Sequence, residues 1–149
     1  QKELLKGYPG KTLVCLTVIM PGKVKRNLQS LVVAQAAVTA LVSAFGDSML
    51  KFRLRDLPTG YEAYLVTPLS NEEAKKETCR IEDTHPLGRL FDLDVIDADG
   101  VPMSRESVGL SPRKCLVCDN EARYCMRNRT HTMAELTAKI DEMIESYVR

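Results

Sequence analysis

Every residue from Leu13 to Ile19 is apolar or β-branched, and such a run fits a strand covered on both faces better than one at a sheet edge. Met20-Pro21-Gly22 ends it, because proline lacks the N–H that a ladder needs and glycine turns freely; Lys23, Lys25 and Arg26 follow at once. From Asn27 to Phe45 the period changes. Leu28, Leu31, Val32, Ala36, Val38, Leu41, Val42 and Phe45 recur at helical spacing, with Gly46 as the stop. A buried strand thus feeds a long helix through a basic loop.

Met49 to Leu57 alternates Leu50, Phe52 and Leu54 with Lys51, Arg53 and Arg55, a half-buried strand with a basic outer face. Pro58-Thr59-Gly60 turns the chain and Tyr61 to Thr67 returns as a hairpin partner. Ser70 and Glu73 then read as the cap of a short helix running towards Cys79. The stretch from His85 to Val95, continuing to Asp97, reads as a fourth strand, with a turn at Ala98-Asp99-Gly100 and a brief return near Val101 to Met103. The order strand, helix, strand, strand, helix, strand is that of an α+β, ferredoxin-like split βαβ sandwich. In that topology strands one and three are central and strand four lies antiparallel beside strand one. A nucleotidyltransferase-like mixed sheet is the alternative.

With 149 residues, 44% of them hydrophobic, the chain is expected to form one domain over 1–149. A Cys/Arg-rich appendage spans about 104–131. An amphipathic helix over about 132–147 (Leu136, Ile140, Met143, Ile144, Tyr147) packs back on the core. A net charge of +1 announces neither a nucleic-acid nor a membrane partner, so an anion site must be a local cluster. No segment reads as long enough to span a membrane, the run Leu13–Met20 being far too short, and no signal peptide is evident; the expected compartment is cytoplasmic.

The fourth strand carries the chemistry. Alternation points Phe91, Leu93 and Val95 one way and Asp92 and Asp94 the other, and two acids so spaced can share one divalent cation. Gly88 and Arg89 just upstream suit close approach to a phosphate. The topology also brings this strand's start towards Lys23 and Lys25 at the mouth of the first helix. A strand with a solvated polar face is the plain alternative.

Cys115-x2-Cys118-x6-Cys125-x5-His131 offers a tetrahedral Cys3His set for zinc, against a reduced cluster of small buried side chains. Arg113, Lys114, Arg123, Arg127 and Arg129 crowd the same segment, a local basic cluster able to grip phosphates or an acidic partner.

Several of these motifs together resemble the apo-citrate lyase phosphoribosyl-dephospho-CoA transferases, or holo-citrate lyase acyl-carrier-protein synthases. The landmarks are Met20-Pro21-Gly22 with Lys23 and Lys25, Glu82-Asp83-x-His85-Pro86-Leu87-Gly88-Arg89-Leu90-Phe91-Asp92-Leu93-Asp94-Val95, and Asp97-x-Asp99-Gly100. Further on come Arg113-x-Cys115-Leu116-x-Cys118 and Cys125-x-Arg127-x-Arg129-x-His131. The resemblance covers nearly the whole chain, and the family's N-terminal helix is expected to be largely absent before Gln1. It implies nucleotidyl transfer: a 5-phosphoribosyl-dephospho-CoA group passes from its triphosphate precursor to a serine of the citrate lyase acyl carrier subunit, releasing pyrophosphate. Asp92 and Asp94 would then hold Mg²⁺, and Lys23, Lys25, Gly88, Arg89, Arg127 and Arg129 would bind the substrate. His85 or a carboxylate near the metal would take the serine proton, with Glu62 and Glu106 as candidate third carboxylates. The rival expectation is a non-catalytic, metal-stabilised module that binds a carrier protein or polyphosphate.

Overall fold

In the computed structural model, which describes residues 2–20, 27–97 and 99–149, the apolar run forms β1 (Thr12–Val18), buried from Thr12 to Leu16. The other strands are β2 (Lys51–Leu57), β3 (Gly60–Thr67) and β4 (Phe91–Ile96). They form one sheet in the order β2-β3-β1-β4. Every pairing between them is antiparallel, which removes the mixed-sheet alternative. Among the described residues the helices are α1 (Lys2–Gly7), α2 (Leu28–Phe45), α3 (Asn71–Thr84), α4 (Ala122–Asn128) and α5 (Met133–Val148), and the fold is α+β.

The sheet has two unlike faces. On one, Val14, Leu16, Ala63, Leu65, Leu93 and Val95 meet Val33, Ala37, Leu41 and Phe45 of α2, Ala74 and Ile81 of α3, and Ile140 and Ile144 of α5. Each large side chain fully buried there contributes about 1.5–3 kcal/mol relative to exposure. On the other face, Leu4 of α1 covers Leu13, Cys15, Val66 and Ile96. Thr17, further along β1, stays exposed. That end of the second face is where the acidic residues stand.

Local chemistry accounts for the helix ends. Asn27 and Ser30 form a reciprocal capping box at the start of α2, and Thr132 and Glu135 do so for α5. Ser70 caps α3 as expected, accepting the Glu73 N–H at 3.1 Å. Helix α3 runs well past Cys79, however, and ends only at His85, whose extended backbone is the conformation favoured before proline. A single helical turn over Gly88–Leu90 follows, so His85, Gly88 and Arg89 lie in a connection and the strand starts at Phe91.

Two further expectations change. The apolar side of β2 is only partly covered: Phe52 packs against the main core, but Leu54 is 53% exposed. And one helical stretch, Leu28–Ser48, is long and apolar enough by length and composition to cross a membrane. A search for unbroken apolar runs passes over it because uncharged Gln, Ser and Thr interrupt the sequence; in the fold it is the helix whose Val33 and Ala37 are fully buried in the main core.

Candidate active site

Strand β4 alternates as its sequence requires: Phe91, Leu93 and Val95 are buried, while Asp92 and Asp94 are half-buried on the opposite face. Register places Asp92 beside Thr17 and Asp94 beside Cys15, and on the far side of β1 the same two residues pair with Glu62 and Tyr64. Thr17 Oγ1 approaches Asp92 Oδ2 at 3.4 Å. Tyr64 donates to Glu62 at 2.7 Å, and that bond, with burial, pushes the phenol up to about 12. A cavity of about 340 Å³ joins Glu62, Thr17 and Asp92. Burial, followed by the charge of Asp92, raises the carboxyl of Asp94; the buried Lys75 of α3 works against that rise.

A second cavity, of about 410 Å³, is lined by Asp92, Arg89 and Arg113, by Cys115, Cys125 and His131, and by apolar residues that include Ile19, Leu136 and Ile140. Arg89 and Arg113 also line a neighbouring cavity of about 560 Å³ that reaches His85, Arg105 and Lys114. Arg89 donates from Nε to the Lys114 carbonyl and pairs with no carboxylate among the described residues. Burial, with the Arg113 guanidinium beside it, holds Arg89 down to about 10. Two half-buried cations side by side make a place where an anion is favourable.

What holds these groups is a buried carboxylate, Glu82, whose role no local motif announces. It accepts the Leu93 N–H at 2.9 Å and the Arg105 guanidinium at 2.7 Å, and lies 3.5 Å from Arg113. Arg113 in turn donates to the carbonyls of Phe91 (2.8 Å) and Gly88 (2.9 Å). Side chains therefore satisfy the outer edge of β4 on either side of Asp92, where a further strand would otherwise lie. A weaker signal does exist in the sequence: Glu82 shares a helical stripe with Ala74, Thr78 and Ile81, and a charge on a buried stripe demands a partner. Gly88 is buried, and a Cβ there would stand 2.7 Å from the Ile81 carbonyl oxygen and closer still to that of Glu82. Its missing side chain is explained by packing on the end of α3.

His85 stacks on Phe91 and Tyr147, with ring centroids 4.9 and 5.6 Å away. Its Nδ1 accepts the Leu87 N–H at 2.9 Å, and burial lowers its pKa. The neutral ring thus carries its proton on Nε2. Arg127 and Arg129 are exposed at the end of α4, and neither lines the 410 Å³ cavity. Glu106, the other candidate third carboxylate, is exposed and pairs with Arg123 at 3.2 Å. Lys23 and Lys25 lie outside the described residues, although the hydrogen bond from Ile19 N–H to the Leu90 carbonyl sets the end of β1 against the connection that leads into β4.

The ligand atoms of Cys115, Cys118, Cys125 and His131 all lie within 4.8 Å of one another and could hold a metal ion. Cys118 and Cys125 sulfurs are 3.5 Å apart, and His131 Nε2 is 3.4 Å from Cys118 Sγ. A tetrahedral zinc centre with Zn–S bonds of about 2.3 Å sets its ligand atoms ~3.5–3.8 Å apart. Burial acts to raise the Cys115 thiol, but hydrogen bonds from the Val117 and Cys118 N–H groups and from the Cys125 and Cys118 side chains together bring it down to about 7. His131 Nδ1 lies 3.8 Å from the Glu135 carboxylate, the partner that a metal-bound imidazole commonly has. Only Cys125 of the four is buried, which disfavours a mere apolar cluster.

Residues 1–147 match the family model described as apo-citrate lyase phosphoribosyl-dephospho-CoA transferase. A Vibrio cholerae serotype O1 protein named "Probable apo-citrate lyase phosphoribosyl-dephospho-CoA transferase" is 43% identical over 99% of this chain and 84% of its own length. A Streptococcus pyogenes serotype M18 protein of the same name is 36% identical over 99% of this chain and 79% of its own. The Haemophilus influenzae protein CitXG is 38% identical over 99% of this chain but only 32% of its own length.

Proposed function

Given that the chain belongs to the apo-citrate lyase phosphoribosyl-dephospho-CoA transferase family, we propose that it performs nucleotidyl transfer onto the acyl carrier subunit of citrate lyase. The triphosphoribosyl-dephospho-CoA precursor is the donor and a carrier serine the acceptor. The observation that carries this reading is the shared cavity, which brings Asp92 together with Arg89 and Arg113. We read the strand order as the ferredoxin-like split βαβ arrangement.

Asp92 and Asp94 fit a divalent cation: they are half-buried on one sheet face, and burial first and the charge of Asp92 second raise the Asp94 carboxyl, both of which a shared cation would offset. Mg²⁺ bound there would supply neutralisation of the triphosphate and of the charge on leaving pyrophosphate. Arg89 binds the phosphate chain, with Lys23 and Lys25 as further phosphate ligands. The serine Oγ attacks the α-phosphorus; the new O–P bond forms as the Pα–O bond to the β-phosphate breaks, and pyrophosphate leaves with the electron pair. The serine proton passes to a carboxylate of the acidic pair, since His85 already uses its acceptor nitrogen on Leu87. His85 then acts as a positioning residue, fixing the turn that presents Gly88 and Arg89. Arg127 and Arg129, exposed beside the cavity, suit contact with the carrier. Zinc is the ion assigned to the Cys3His set, in a structural role.

The test is incubation of the protein with apo carrier subunit, the triphosphoribosyl precursor and Mg²⁺, read by the mass of the carrier and by release of pyrophosphate. A carrier that is bound but keeps its mass would make the protein a non-catalytic binding module.

A further inference from the structure

The segment from Ser104 to His131 has little to hold it: among its described residues only Arg105 and Cys125 are buried. Its near end is tied to the start of β4 by Arg113 and by the bond from Arg89 to the Lys114 carbonyl. Its far end is tied by Ile140 and Ile144, which enter the main core from α5. Between these anchors lie the turn with Cys115 and Cys118, helix α4 with Cys125, and His131 just before α5. These three pieces are separate in sequence, and their four donor atoms converge. Cys115, Cys125 and His131 also line the 410 Å³ cavity, as do Asp92 and Arg89.

We infer that zinc at Cys115, Cys118, Cys125 and His131 builds the outer wall of the substrate cavity and leaves the sheet domain to fold on its own core. This rests on the transferase reading only for the identity of the cavity's occupant. The physical reason is the division of the packing. The sheet, α2 and α3 share a continuous apolar core, whereas residues 113–136 have only the hydrogen bonds at Arg113 and Lys114, a partly buried Leu116 and a buried Cys125 to set against their conformational entropy, and coordination supplies the rest. Glu135 belongs to the same device: it caps α5 through Thr132 and faces His131 Nδ1, so the helix start and the metal ligand are oriented together.

The experiment uses the full chain as purified. Native mass spectrometry counts zinc, and hydrogen exchange is followed before and after the ion is stripped with a chelator; Cys118→Ser is followed in parallel in case stripping is slow. The expected result is one zinc per chain and exchange over residues 113–136 that rises more than about tenfold on stripping, with β1 and β3 unchanged. Dephospho-CoA, titrated calorimetrically, is expected to bind the stripped protein at least about tenfold more weakly than the loaded one. Absence of stoichiometric zinc, unchanged exchange over 113–136, or loss of protection throughout the sheet each overturns the inference. Failure of the zinc-loaded protein to bind dephospho-CoA counts instead against the transferase reading, while the exchange pattern still decides what the metal does.

Discussion

The carboxylate of Glu82, at the end of α3, accepts the backbone N–H of Leu93, the residue between Asp92 and Asp94 on β4. One bond therefore fixes a helix end to the strand that carries the acidic pair, and the same carboxylate balances Arg105 and Arg113. Glu82→Ala strips the Leu93 amide of its acceptor and removes the buried carboxylate beside two guanidinium groups, leaving Arg105 only Asp83 and Arg113 only the Phe91 and Gly88 carbonyls. The expected loss is about 3–5 kcal/mol of stability, measured by urea unfolding. A loss under ~1 kcal/mol would show that the network is dispensable.

Gly88 offers a steric counterpart. Alanine there drives a methyl group into the carbonyls of Ile81 and Glu82, both backbone atoms that cannot swing away. Gly88→Ala is expected to cost about 1–3 kcal/mol through overpacking. Because the turn also presents Arg89, activity should fall along with the melting temperature. An unaltered melting curve would mean that the end of α3 yields.

For Asp94 stability and activity should move in opposite directions. Burial, then the charge of Asp92, raises its carboxyl, so the folded chain holds this proton more tightly than the unfolded chain. Its contribution to stability is present below the ordinary aspartate pKa and is lost as pH rises through the raised value. Above that value the ionised group is a burden, and Asp94→Asn is expected to raise Tm there in the absence of Mg²⁺. Transfer should fall by more than ~10³-fold, as for loss of a metal ligand. A lower Tm above that value, read calorimetrically, contradicts the assignment.

Arg89 and the pair Arg127 and Arg129 can be separated by which substrate they affect. Arg89→Ala, in the cavity, is expected to raise KM for the triphosphate donor by about tenfold or more, with Arg89→Lys recovering only part of it. Arg127→Ala with Arg129→Ala, at the surface, should leave that KM alone and raise KM for the carrier, most visibly at low salt. Initial-rate kinetics at two ionic strengths distinguish the cases; donor KM responding to the surface pair would place the phosphates elsewhere.

The elements of the sheet are legible in the sequence because their apolar periods are local. The run at Leu13, the alternation about Phe52 and the spacing from Leu28 to Phe45 each name their structure, and the α+β class follows. The alternation of Asp92 and Asp94 is readable for the same reason. His85 to Leu90 passes for strand because Leu87, Leu90 and Phe91 keep up an apolar density that hides a turn; all three are buried, but Leu87 and Leu90 from a connection. The pairing of Glu82 with Arg105 and Arg113 links residues far apart in sequence, so no local pattern states it. The metal ligands are legible as a set, whereas their place beside Asp92 depends on how α5 returns to the core.

Among the described residues, the filled edge of β4 leaves the sheet with one open border, that of β2. Leu50 and Leu54 are exposed there, but Lys51, Arg53 and Arg55 alternate with them, and two such borders brought together would set like charges face to face. Cationic side chains on a bare strand are a common guard against fibrous self-association. In this molecule the whole task falls to three of them, so replacing them with neutral β-formers should turn a self-repelling border into one that recruits copies of itself.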